Sequence, residues 1–203
     1  MENKPRKMGR RTVLKTAVAI AAAQMATYGA EAEPLAQPNP APAGTPSTPP
    51  RAEGKKGDFN FLTGEWKISN RRLKSTNPDV WEDFPGEATV YSILQGGGSI
   101  EELRVPTRDF MGTGIRLFEV EEKVWSDFWV NARSGVLTTP GTKGVFVDGV
   151  GVFEADDMDG ETPIKVRGVW DRITPNSCRW YQEISRDGGR TYQGNWYMDW
   201  TRA

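Results

Sequence analysis

From Gly57 to Ala203 the chain alternates apolar and polar residues with a period of two, and very little of it shows the 3.6-residue period of a helix. Ten runs read as strands: 66–73, 87–94, 99–105, 113–120, 123–131, 135–139, 143–153, 163–173, 178–186 and 191–202. Many are rich in Val, Ile, Trp, Tyr and Thr, which fit a pleated, half-buried surface. In 163–173, Ile164, Val166, Gly168 and Trp170 share one face, and Lys165, Arg167, Val169 and Asp171 share the other. Polar turns are read at Asp156–Gly160 and Asp187–Gly189, where glycine supplies positive φ at no steric cost. Many strands at short spacing mean a sandwich or a barrel. A ten-strand meander leaves two long edges unless it closes, so an all-β, up-and-down antiparallel barrel is the expected fold.

The N-terminus is a different kind of sequence. A basic stretch ends in Arg10 and Arg11, a short apolar run covers 13–26, and Ala30-Glu31-Ala32 supplies a cleavage pattern. Residues 1–32 therefore read as a secretory signal, too short in its apolar part to be a stable membrane span. The pattern R-R-x-x-L-K resembles a twin-arginine signal, with Gly9 and Val13 as departures. That resemblance implies the twin-arginine export machinery as a partner and a periplasmic or otherwise exported destination. Residues 33–56 are rich in Pro and Ala and read as a disordered linker, leaving 57–203 as the β-barrel domain.

Composition narrows the chemistry. The chain contains no histidine, which removes the commonest metal ligand and general base. No metal site, cofactor or catalytic constellation is legible. Cys178 is the single cysteine, so no intramolecular disulfide is available, and within a strand it reads as a small buried hydrophobe. Nine of the 26 basic and four of the 27 acidic residues precede Gly57, leaving 17 and 23 in the domain, a net charge of −6 that argues against nucleic-acid binding. The acidic run Asp156-Asp157-x-Asp159-Gly160 lacks the further ligands of a calcium loop and reads as a solvated turn. Glu101 and Glu102 are adjacent and face opposite sides of a strand, so they form no carboxylate dyad.

Gly64-x-Trp66 enters the first strand and Arg202 closes the last. In this the chain resembles the calycin-like barrels, the lipocalin and fatty-acid-binding relatives. That resemblance implies that Arg202 stacks on Trp66 across the barrel floor. The run Asp58-Phe59-x-Phe61-Leu62-x-Gly64-Glu65-Trp66, the set Arg116, Leu117 and Trp125, and the set Ser185, Asp187, Gly188, Gly189, Thr191, Asn195 and Trp196 also resemble the bacterial family DUF1579. Tyr192 stands where that family carries Trp. The family has no assigned function. Ser185-x-Asp187-x-Gly189-x-Thr191 is also similar to an Asp-box turn, in which the carboxylate fixes a hairpin; Asp187 and Gly189 therefore read as structural.

All eight tryptophans lie in the domain. They either fill the barrel or line a cavity, as the interiors of calycin-like barrels hold one small ligand. Arg116, Trp129, Arg167, Gln182 and Asn195 are the candidate ligand-binding residues, mid-strand among apolar or aromatic neighbours. The leading expectation is non-catalytic binding of a small, partly apolar ligand with an anionic end on Arg116 or Arg167. A histidine- and metal-independent enzyme, and an interaction module using surface aromatics, are the alternatives.

Overall fold

The computed structural model describes residues 52–74 and 77–203. The export signal read over 1–32, and the linker as far as residue 51, lie outside the described residues. Ten strands follow in order: β1 (Gly64–Lys74), β2 (Asn77–Ile93), β3 (Gly98–Val105), β4 (Phe110–Glu119), β5 (Val124–Asn131), β6 (Thr142–Val147), β7 (Val150–Asp159), β8 (Thr162–Asp171), β9 (Ser177–Ser185) and β10 (Gln193–Arg202). Each pairs antiparallel with its sequence neighbours, and β1 also pairs with β10, so the sheet is a closed up-and-down barrel.

The count of ten matches the sequence reading, but three of the runs differ. Run 143–153 is two strands, β6 and β7, joined by Asp148-Gly149 with φ of 49° and 79°. Positive φ at both positions is what a two-residue hairpin demands, and Asp-Gly is the pair that tolerates it. Run 135–139 is no strand; it makes a single bridge between Leu137 and Val130. β2 begins ten residues earlier than run 87–94 and runs through Pro78 and Pro85. Asp156, Asp157 and Asp159 lie in β7 opposite Lys165, Ile164 and Thr162, so the acidic turn is Gly160-Glu161 instead.

The inner wall combines large rings with glycines. Gly144 faces Phe153 across β6 and β7, and a Cβ at Gly168 would sit 2.9 Å from Trp180 Nε1. At Gly112 a Cβ would collide with the Trp129 ring. Each ring covers a backbone that carries no side chain, which lets bulky residues fill a ten-strand interior without overpacking.

One end of the barrel is stoppered by residues 52–63. Gly54 N–H donates to Lys123 O (2.7 Å) and Gly57 N–H to Gly96 O (2.8 Å). The domain's ordered edge thus includes residues 52–56, which composition assigns to the linker. A 3₁₀ turn at Asn60–Leu62 follows, and Trp66 Nε1 donates to Leu62 O (2.6 Å). Phe59 is the stopper itself, buried against Trp125, Phe146, Phe153 and Trp170 with ring centroids 5.0–6.2 Å away. Phe59→Ala is expected to cost about 3–5 kcal/mol of stability, read by urea denaturation. A loss below about 1 kcal/mol would show that the aromatic stopper does not close the core.

Candidate functional site: the barrel interior

Half-way along the lumen the wall carries charge. Arg116 on β4 lies opposite Asp127 on β5, and Glu101 on β3 lies opposite Gly114, one inward position from Arg116. Arg116 Nη2 donates to Glu101 Oε2 at 2.5 Å, and its Nε is 3.7 Å from Asp127 Oδ1. Arg116 and Glu101 are 4% and 3% exposed. Gly114 makes the arrangement possible, since a Cβ there would lie 3.1 Å from Arg116 Nη2. The guanidinium also faces the rings of Phe59 (5.1 Å) and Trp170 (5.3 Å).

Burial opposes the charge on Arg116, but Glu101 and Asp127 outweigh it and hold the guanidinium above its ordinary range. Asp127 moves the other way. Desolvation pushes its carboxyl up to about 6, against the pull of Arg116, with Glu101 adding to the rise. Its side chain still keeps 24% of its surface accessible. The Cys178 thiol is raised to about 12, first by burial and then by Glu101, and stays protonated and unreactive.

Beyond this cluster, towards the end opposite the stopper, the lining is indole and amide. Trp180 meets Trp196 edge-on at 5.5 Å, and Phe110 stacks on Trp129 at 6.1 Å. Trp196 Nε1 donates to Asn70 Oδ1 (3.0 Å). Gln182 Nε2 donates to Asn195 Oδ1 (3.2 Å), across a β-bulge at Gly194–Trp196 that takes Asn195 out of strict alternation. Several buried polar atoms in the wall make no hydrogen bond: Nε1 of Trp129, Trp170 and Trp200, Nη1 of Arg116, Nδ2 of Asn70 and Oε1 of Gln182.

Arg116, Trp129 and Gln182 thus share the lumen, and Asn195 joins them through Gln182. Arg167 does not. Inward Ile164, Val166, Gly168 and Trp170 turn it to the outside of β8, where its Nε donates to Glu183 (2.6 Å) and its guanidinium stacks on Tyr192 at 3.7 Å. The expected anionic contact at Arg167 is therefore withdrawn, and Arg116 already answers two carboxylates. Glu101 and Asp127 are the lumen residues that sequence reasoning left out. Asp127 had a usable signal, because it lies midway between Trp125 and Trp129 on the same face.

Gly64, Trp66, Arg202, Asp187 and Gly189 lie away from this cluster. Arg202 stacks on Trp66 at 4.0 Å and donates to the carbonyls of Phe61 (2.7 Å) and Thr63; a Cβ at Gly64 would crowd its Nη1. In the β9–β10 turn the Asp187 carboxylate accepts from Arg190 N–H (2.9 Å), Thr191 N–H (2.9 Å), Thr191 Oγ1 (2.7 Å) and Ser185 Oγ (2.7 Å). Those bonds, the Thr191 N–H foremost, hold it below the usual carboxylate range. Gly189 N–H donates to Ser185 Oγ (2.8 Å).

No protein-family model matches the chain, and no curated protein does. Among solved structures it is similar to the S-type phycobiliprotein lyase CPES from Guillardia theta. The TM-score is 0.45 at 9% identity, over 71% of this chain and 90% of that one.

The Asp127 shift has a consequence for stability. An acid whose folded pKa is raised binds its proton more tightly when folded, so its contribution is lost as pH rises from about 4 to about 6. Asp127→Asn removes that loss. In urea denaturation its effect on stability should be more favourable at pH 7.5 than at pH 4; an equal effect at both would contradict the assignment.

Proposed function

We propose that the barrel is an exported binding protein that carries one small, partly apolar molecule in its lumen, with that molecule's hydrogen-bond acceptors on the indole N–H groups and on Arg116. The unpartnered polar atoms of the inner wall carry this reading, because most of them can only donate. Each unmet buried donor costs about 1–3 kcal/mol. A barrel that served as a scaffold alone would be more stable filled with Leu, Ile and Val. A buried ion cluster adds to the argument, since apolar replacements of such clusters are often neutral or stabilising. The donors are covered by neighbouring rings, so the bound molecule takes its place by moving them.

The surface aromatics support an interaction module less well. Trp81, Tyr197 and Tyr181 form a row on the outer wall with ring centroids 5.7 Å apart, but Arg71 and Arg179 already stack on them. The likeness to DUF1579 belongs to the same proposal. Some of the residues that carry it, Trp66 and Asp187 among them, secure the two ends of the barrel, and others, Arg116 and Trp196, belong to the lumen wall. Export through Arg10 and Arg11 sets where the ligand is met.

Native mass spectrometry of protein purified from the periplasm tests the reading, with a denatured control. The denatured mass is expected to lack the signal peptide. The native mass is expected to exceed it by one small organic molecule. Gly114→Leu, whose side chain would push the Arg116 guanidinium out of its place, is expected to abolish the excess while circular dichroism remains that of the barrel. Equal native and denatured masses, or an excess that survives Gly114→Leu, would contradict it.

A further inference from the structure

The ion cluster of the inner wall does not balance. Glu101 and Asp127 bring two negative charges against the one positive charge of Arg116, which leaves one carboxylate in excess at neutral pH. Glu101 is committed, accepting from Arg116 Nη2 at 2.5 Å. Asp127 is held differently. Arg116 Nε stands 3.7 Å away, beyond hydrogen-bond reach, and among the described residues no donor bonds the Asp127 carboxylate. Thr142, its partner across β5 and β6, is uncharged. Trp125 and Trp129, its inward neighbours two positions along β5 on either side, bring indole rings. The other titratable group that acts on the cluster is Cys178 on β9, a protonated thiol. Arg202, at the floor, is engaged on Trp66 and on the carbonyls of Phe61 and Thr63. Asp127 is also the member of the cluster that solvent reaches, its side chain being 24% exposed against 5% for Arg116 and 4% for Glu101. Beside it, Nε and Nη1 of the buried Arg116 make no hydrogen bond.

A desolvated carboxylate without donors is costly, and its complement is a cation that brings donors of its own. Indole rings beside it favour the same charge. We propose that Asp127 is the seat of an ammonium group, so that the molecule carried in the lumen is a protonated amine on an apolar body. This rests on the lumen reading above and adds the ligand's charge and the residue that holds it. The ammonium brings the cluster to neutrality, two carboxylates against Arg116 and the amine. An acceptor beside the amine, a carbonyl or hydroxyl oxygen, meets the open Nη1 of Arg116. An anionic group is disfavoured at the same place, because it would face Glu101 and Asp127 together. Burial raises the Asp127 carboxyl to about 6, so the seat is charged at pH 7.5 and loses its charge as pH falls through that value.

Displacement of the fluorescent ligand N-phenyl-1-naphthylamine tests the seat with two competitors of one aromatic body: 1-naphthylmethylamine, an ammonium at neutral pH, and 1-naphthylmethanol, with a hydroxyl in its place. At pH 7.5 the amine is expected to bind at least about tenfold more tightly than the alcohol. Between pH 7.5 and pH 5 the affinity for the amine should fall about tenfold while that for the alcohol holds. Asp127→Asn should bring the ratio of the two affinities towards one at pH 7.5 and remove the pH dependence, with the barrel's circular dichroism retained. The pH profile of the unaltered protein decides the matter if that variant does not fold. Equal affinities for the two competitors, an amine affinity independent of pH, or a preference that survives Asp127→Asn would overturn the ammonium seat and leave the lumen reading standing. Failure of N-phenyl-1-naphthylamine to bind would overturn the lumen reading, and the seat with it.

Discussion

The β1–β10 ladder turns a meander into a container. Seven consecutive pairs, from Trp66–Arg202 to Arg72–Trp196, join the first strand to the last. With that seam closed the sheet has no edges, and every second residue of ten strands faces one enclosed volume. The seam also brings together what sequence separation keeps apart. Arg202 locks onto Trp66 and the stopper carbonyls at one end, and Arg72 meets Trp196 at the other. Opening this ladder would expose two long edges and the whole aromatic interior at once.

Enclosure sets the physics of what lies inside. The stopper end is aromatic and dry, with Phe59 wedged among Trp125, Phe146, Phe153 and Trp170. The middle holds Arg116 between Glu101 and Asp127, an arrangement that gives up hydration and recovers it through one short hydrogen bond, one looser contact and two ring faces. The far end combines indoles with amides.

Much of the fold was legible because antiparallel strands with one buried face write their period into the chain. In β8 the alternation of Ile164, Val166, Gly168 and Trp170 with Lys165 and Arg167 places Arg167 outside once the inner face is known. The sequence does not say which face is inner, since tryptophans and tyrosines occur on both: Trp196 and Trp200 point in, while Tyr197 belongs to the outer row. That ambiguity put Arg167 among the candidates. The Asp148-Gly149 hairpin was legible in principle and was hidden by its flanking valines, which read as one long strand. The start of β2 was masked by its prolines. Glu101 was recognised as facing away from Glu102, yet its pairing with Arg116 depends on a register between β3 and β4 that no local signal reports.

The central claim, that this barrel works through its lumen, meets its most direct test in the indole N–H signals of a ¹⁵N–¹H correlation spectrum. The eight tryptophans divide into inner-wall rings and Trp81 on the outer wall. On titration with N-phenyl-1-naphthylamine, the signals of Trp129, Trp180 and Trp196 should move together and that of Trp81 should stay in place. Movement of Trp81 with the inner indoles unchanged would contradict the account and assign binding to the outer surface.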